Sequence, residues 1–131
     1  MKSHRPVRML YALAAAYDGL LGLAFIVGGS RLYARFGIMP PNHWGYVDFA
    51  AGTLVIFALM FLAIACHPVE NRNLAPYGIL LKVCYISTTG WYWGHGDVPA
   101  LFKYFLGADA VFLVLFIMSL ASLRPAGASV K

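Results

Sequence analysis

The chain has 131 residues, 61% of them hydrophobic and only 11% charged, where a soluble domain carries about 25% charged residues. That length holds one domain, and a water-soluble globule of this size has no interior large enough to hide so much apolar surface. The composition also excludes a disordered chain. Ten Lys and Arg against five acids give a net charge of +5, but without the basic-aromatic surface of a nucleic-acid binder.

Mean hydropathy of +0.72 points to a bilayer, and four apolar runs come near the roughly 20 residues needed to cross one. The first covers 9–29 and follows Lys2, Arg5 and Arg8. Its Ala14-Ala15-Ala16 resembles a signal-peptide cleavage site, but the apolar stretch before it is too short and the hydrophobicity continues beyond it. The run is therefore expected to remain as a helix. Gly28-Gly29-Ser30 breaks it. Arg31 to Phe36 then reads either as a turn of interfacial helix, with Arg31 and Arg35 on one side and Leu32 and Phe36 on the other, or as an ordinary loop.

After Met39-Pro40-Pro41-Asn42 the second run covers 46–66, ending at His67-Pro68. The third covers 76–93 and ends in Gly94-His95-Gly96-Asp97, before Pro99. The fourth covers 101–123 and is followed by Arg124 and Lys131. None alternates apolar with polar residues, and all are too long for barrel strands. The sequence thus predicts an all-α integral membrane four-helix bundle with short loops, a single transmembrane domain over residues 1–131.

Orientation follows from the basic residues. With both termini cytoplasmic, Lys2, Arg5, Arg8, Arg72, Arg124 and Lys131 lie inside, and only Arg31 and Arg35 clearly outside. Tyr33, Trp44, Tyr46, Trp91, Tyr92 and Trp93 then gather at the outer boundary as an aromatic belt.

Five charges fall inside the runs: Asp18, Asp48, Lys82, Lys103 and Asp109. Each costs roughly 2.5–3.5 kcal/mol near the bilayer centre, so each must face the bundle and find a partner or lose its charge. At about 1.5 Å rise per residue, Lys82, Asp18 and Asp109 lie about 9, 13 and 18 Å from the cytoplasmic edge of a 30 Å core. The three form a central layer, expected to be either a buried ion-pair set or the polar floor of a ligand or proton site. One carboxylate is then in excess, to be protonated or to bind a cation. Tyr85 and Thr89 share the Lys82 side and are candidate partners for its ammonium. Asp48 and Lys103, both about 3 Å from the outer edge, are expected to pair weakly there.

The sequence carries no recognisable catalytic constellation. His4, His43, His67 and His95 fall in flanks or loops, no nucleophile stands with a base, and no metal or cofactor motif occurs. No enzyme, cofactor or metal site is expected. Ser87-Thr88-Thr89 reads as helix-helix hydrogen bonding, and Cys66 and Cys84 as small buried thiols.

The stretch Leu21-Gly22-Leu23-Ala24-Phe25-Ile26-Val27-Gly28-Gly29-Ser30-Arg31-Leu32 resembles the first-helix pattern of the DoxX-like family. That pattern is a Gly, an aromatic, then Gly and a basic residue before Leu at the membrane exit. The four-helix layout agrees. The resemblance implies a small bacterial inner-membrane protein, with some such proteins serving as subunits of quinone-linked redox complexes such as thiosulfate:quinone oxidoreductase. It transfers no catalytic residue. An accessory or structural subunit is the first functional expectation. The second is a binding or transport protein for a small amphipathic molecule or proton, with Asp18, Lys82 and Asp109 flooring an apolar cavity. The expected partners are the lipid bilayer, a membrane protein or second copy of the chain, or a lipid or quinone; nucleic acid is not among them.

Overall fold

The computed structural model describes residues 3–124, so Lys2 and Lys131 lie outside the described residues. It is all-helical: α1 (Arg5–Arg35), α2 (Gly45–Cys66), α3 (Ala75–His95) and α4 (Ala100–Ser122), with a 3₁₀ turn at Arg72–Leu74 before α3. Three of these, α1, α2 and α4, are long and apolar enough to cross a membrane. The sequence expectation was four. α3 has the length, at 21 residues, but Lys82, the Ser87-Thr88-Thr89 run and the glycines of its last turns make it less apolar.

Local signals explain the boundaries. Pro6 and Pro76 sit in the first turns of α1 and α3, where a missing N–H costs nothing. α1 begins earlier than its apolar run, with Pro6 in its first turn, and ends later because Gly28-Gly29-Ser30 bends the helix instead of stopping it. Gly28 leaves helical geometry (φ −133°, ψ 26°) and the chain resumes its turns to Arg35. Arg31 to Arg35 is therefore the last turn of α1 beyond a kink. Gly37, at φ +65°, then closes the helix: its N–H reaches the Ala34 carbonyl at 3.3 Å and the Ile38 N–H reaches the Tyr33 carbonyl at 2.8 Å. This pair of bonds is a Schellman cap, which needs the left-handed conformation that glycine tolerates.

The bundle is two hairpins. α1 packs closely along α2, and α3 along α4, while backbones approach far less between the pairs. The α1–α2 seam is built from small residues. A Cβ added at Gly22 would come 2.6 Å from the Ala51 carbonyl oxygen, and one at Gly19 would come 3.2 Å from the Ala58 Cβ. Close backbone approach of this kind is how helices associate where no hydrophobic driving force acts between them.

One end of the bundle is solid. Tyr11 stacks on Phe116 with ring centroids 4.8 Å apart, Phe61 packs against both, and the Tyr11 hydroxyl is 3.0 Å from Ser119 Oγ. Arginines close the helices at this end. Arg8 Nη2 donates to the carbonyl of Cys66, the last residue of α2, at 3.1 Å, and Arg72 Nη1 to that of Leu123, the C-cap of α4, at 3.4 Å. A cation suits the negative end of a helix dipole. The α1–α2 and α3–α4 connections lie at the other end, with Trp44, Tyr46, Trp91, Tyr92 and Trp93 around them. Both cysteines are exposed rather than buried; Cys66 ends α2 at the rim of the core, and Cys84 lies on the half of α3 turned from Lys82.

Candidate functional site

Between the solid end and the aromatic end, the two hairpins meet at a single cluster of charge. Lys82 of α3 is fully buried, and its ammonium donates to both carboxylate oxygens of Asp18 on α1, each at 3.0 Å, and to Asp109 Oδ1 on α4 at 2.9 Å. Asp18 keeps 1% of its surface and Asp109 7%. The structure thus brings the three central residues together from three helices. Lys82 has all three of its donors engaged, and the rings of Tyr17, Phe61 and Phe112 surround its Nζ with centroids 5.4–5.9 Å away.

Tyr85 and Thr89 do not serve the ammonium. The Tyr85 hydroxyl donates instead to the Phe102 carbonyl at 3.1 Å, tying α3 to the first turn of α4. Ser87 bonds within its own helix, to the Cys84 carbonyl at 3.1 Å.

A cavity of about 430 Å³ opens on the aromatic side of this cluster. All four helices line it, mostly with apolar and aromatic side chains, and the exposed Phe49 at its edge carries it to the surface of the bundle. Asp18 and Asp109 reach the cavity, and Lys82 does not. This corrects the expected floor of three residues. The lysine ammonium is engaged by the two carboxylates, and the cavity lining includes the carboxylates but not the lysine.

Tyr17, which also lines the cavity, has a buried hydroxyl with no hydrogen-bond partner among the described residues. Sequence reasoning passed it over. Its signal was available, since a tyrosine directly before an aspartate in the middle of an apolar run sits too far from either end of that run to belong to an aromatic belt.

The expected outer pair does not form. Lys103 Nζ donates instead to Asp97 Oδ1 at 3.2 Å and stands 4.9 Å from the centre of the Trp93 ring. Asp97 is in the short connection before α4, and the turn at Pro99 brings it over the first turn of that helix. Asp48 is exposed in the first turn of α2 and makes no ion pair among the described residues. A carboxylate there is favoured by the positive end of the helix dipole and by water, without a lysine. With Asp97 93% exposed, its pair with Lys103 belongs to the class worth about 0–1 kcal/mol. Lys103→Met is accordingly expected to leave the detergent melting temperature close to that of the parent. A large drop would mean that this end is sealed from water.

His95 also differs from its expected place. It is the last residue of α3, with Nδ1 2.8 Å from the Trp91 carbonyl and its ring stacked on the Trp91 indole.

Comparison with family models, with curated proteins and with solved structures returns no match to this chain, so its site is read from its own geometry.

Proposed function

We propose that the chain is a multi-pass membrane protein, with both termini cytoplasmic, that binds a small amphipathic molecule between its two hairpins. One observation carries this reading: an apolar, aromatic-lined cavity that ends on two buried carboxylates. Ligand sites combine these features, an apolar wall for affinity and a few convergent polar groups for orientation, in volumes of roughly 300–1,000 Å³. A purely structural ion cluster calls for packing on every side, whereas this one has packing on one side and a cavity on the other. The three long apolar helices support membrane insertion. The arginines gathered at the end of the bundle where α1 begins and α4 ends support the orientation.

The accessory-subunit role implied by the DoxX-like resemblance is the second reading, and one preparation separates the two. After purification in a mild detergent, solvent extraction and mass spectrometry are expected to find a small amphipathic molecule in stoichiometric amount. A stoichiometric protein partner with no small molecule would overturn the ligand reading in favour of the subunit.

A further inference from the structure

We infer that the cavity selects a lipophilic cation, an amine protonated at neutral pH on an aromatic or alkyl body. The inference rests on the ligand-binding reading above and assigns its ligand class. It starts from which charges the cavity can meet. Lys82, the one cation of the cluster, is as deeply buried in its side chain as Asp18, has all its donors occupied, and lies outside the cavity lining. Asp18 and Asp109 do line it.

Two ionised carboxylates around one ammonium leave a negative charge uncompensated, in surroundings where an uncompensated charge is costly. The oxygens are not equally engaged. Both oxygens of Asp18 are held by Lys82, whereas Asp109 uses only Oδ1. Asp109 Oδ2 accepts no hydrogen bond among the described residues, and the Asp109 side chain keeps 10% of its surface exposed. A free acceptor oxygen thus stands at the floor. Tyr17, whose buried hydroxyl has no partner among the described residues, contributes its side chain to the same cavity wall.

The walls agree with the floor. Phe25, Tyr33, Tyr85, Phe102 and Phe105 line the cavity with Tyr17, and aromatic faces attract ammonium groups through their quadrupoles. An anionic head would meet the carboxylates with no free cation to receive it. A neutral head would leave the charge uncompensated.

The test uses one apolar body with three heads: phenylbutylamine (cationic), phenylbutanol (neutral) and phenylbutyrate (anionic). Binding to the full chain in detergent is measured by calorimetry, with the micelle background subtracted. The amine is expected to bind about tenfold or more tighter than the alcohol, and the carboxylate to bind weakest. Asp109→Asn should erase the preference for the amine while keeping alcohol binding, and Asp109→Glu should restore it. If Asp109→Asn does not fold, the order of the three heads on the parent still decides.

An alcohol or carboxylate that binds as tightly as the amine overturns the cation inference and leaves the amphiphile site standing. A proton that neutralises the floor gives the same binding pattern, and it overturns the inference in the same way. No binding by any of the three overturns both the inference and the reading on which it rests.

Discussion

Lys82→Met is expected to cost the folded protein about 3–5 kcal/mol, the range measured when one partner of a buried charge pair is removed. The ammonium is the sole ion-pair partner of Asp18 and of Asp109 among the described residues. Without it, two carboxylates from different hairpins face each other across a desolvated gap, and the attraction joining the hairpins becomes repulsion. A variant carrying Asp18→Asn and Asp109→Asn as well should recover much of the loss, because polar amides replace the stranded charges. The measurement is the detergent melting temperature of the single and triple variants beside the parent. A single variant as stable as the parent would show that cavity water already screens the carboxylates. A triple variant no better than the single would show that the three groups do not act as one cluster.

The second large effect is expected within the first hairpin. A methyl group on Gly22 would meet the Ala51 carbonyl oxygen at 2.6 Å and Val55 Cγ2 at 2.9 Å. The first contact is backbone, so the helices must part to admit it. Overpacking of this kind costs about 1–3 kcal/mol, and Gly22→Ala should lower the melting temperature accordingly. Gly52, also on the α1–α2 hairpin, has nothing within 4 Å of the corresponding position. Gly52→Ala should be neutral or stabilising by up to about 1 kcal/mol, the gain from replacing glycine inside a helix. Equal losses in both variants would show that the seam is looser at Gly22 than the structure has it.

How much of this was legible in the sequence depends on what each inference required. The proximity of Asp18, Lys82 and Asp109 needed only a fixed helical rise and the edges of three apolar runs. Errors of a few residues at the ends still leave these charges near the middle. The Asp48–Lys103 pair needed lateral position, which depth does not supply. Asp97, hidden in a loop, was the nearer partner. α1 outran its apolar run because a glycine pair permits a helix end without requiring one, and Tyr33 packs against Phe25 and Trp44 beyond the bend.

The cavity was out of reach for another reason. It depends on which helices pair closely and which stand apart, and the small residues at Gly19, Gly22, Ala51 and Ala58 settle that only once their register is known. The same limit hid the fact that Lys82 lies outside the cavity lining. Periodicity places a residue on a face, but not on one side of its own ion pair.

Synthesis imposes an order on the charge cluster that the finished molecule conceals. Each hairpin joins helices adjacent in sequence, so α1 and α2 can associate before α3 exists. Asp18 belongs to that first hairpin, and its counter-ion follows 64 residues later. At about 5–20 residues per second, the nascent chain holds an uncompensated aspartate for roughly 3–13 s. Asp109 arrives last and finds the lysine already in place. The first hairpin is therefore complete in sequence before the counter-ion of Asp18 is made, and the third helix brings the charge that meets it.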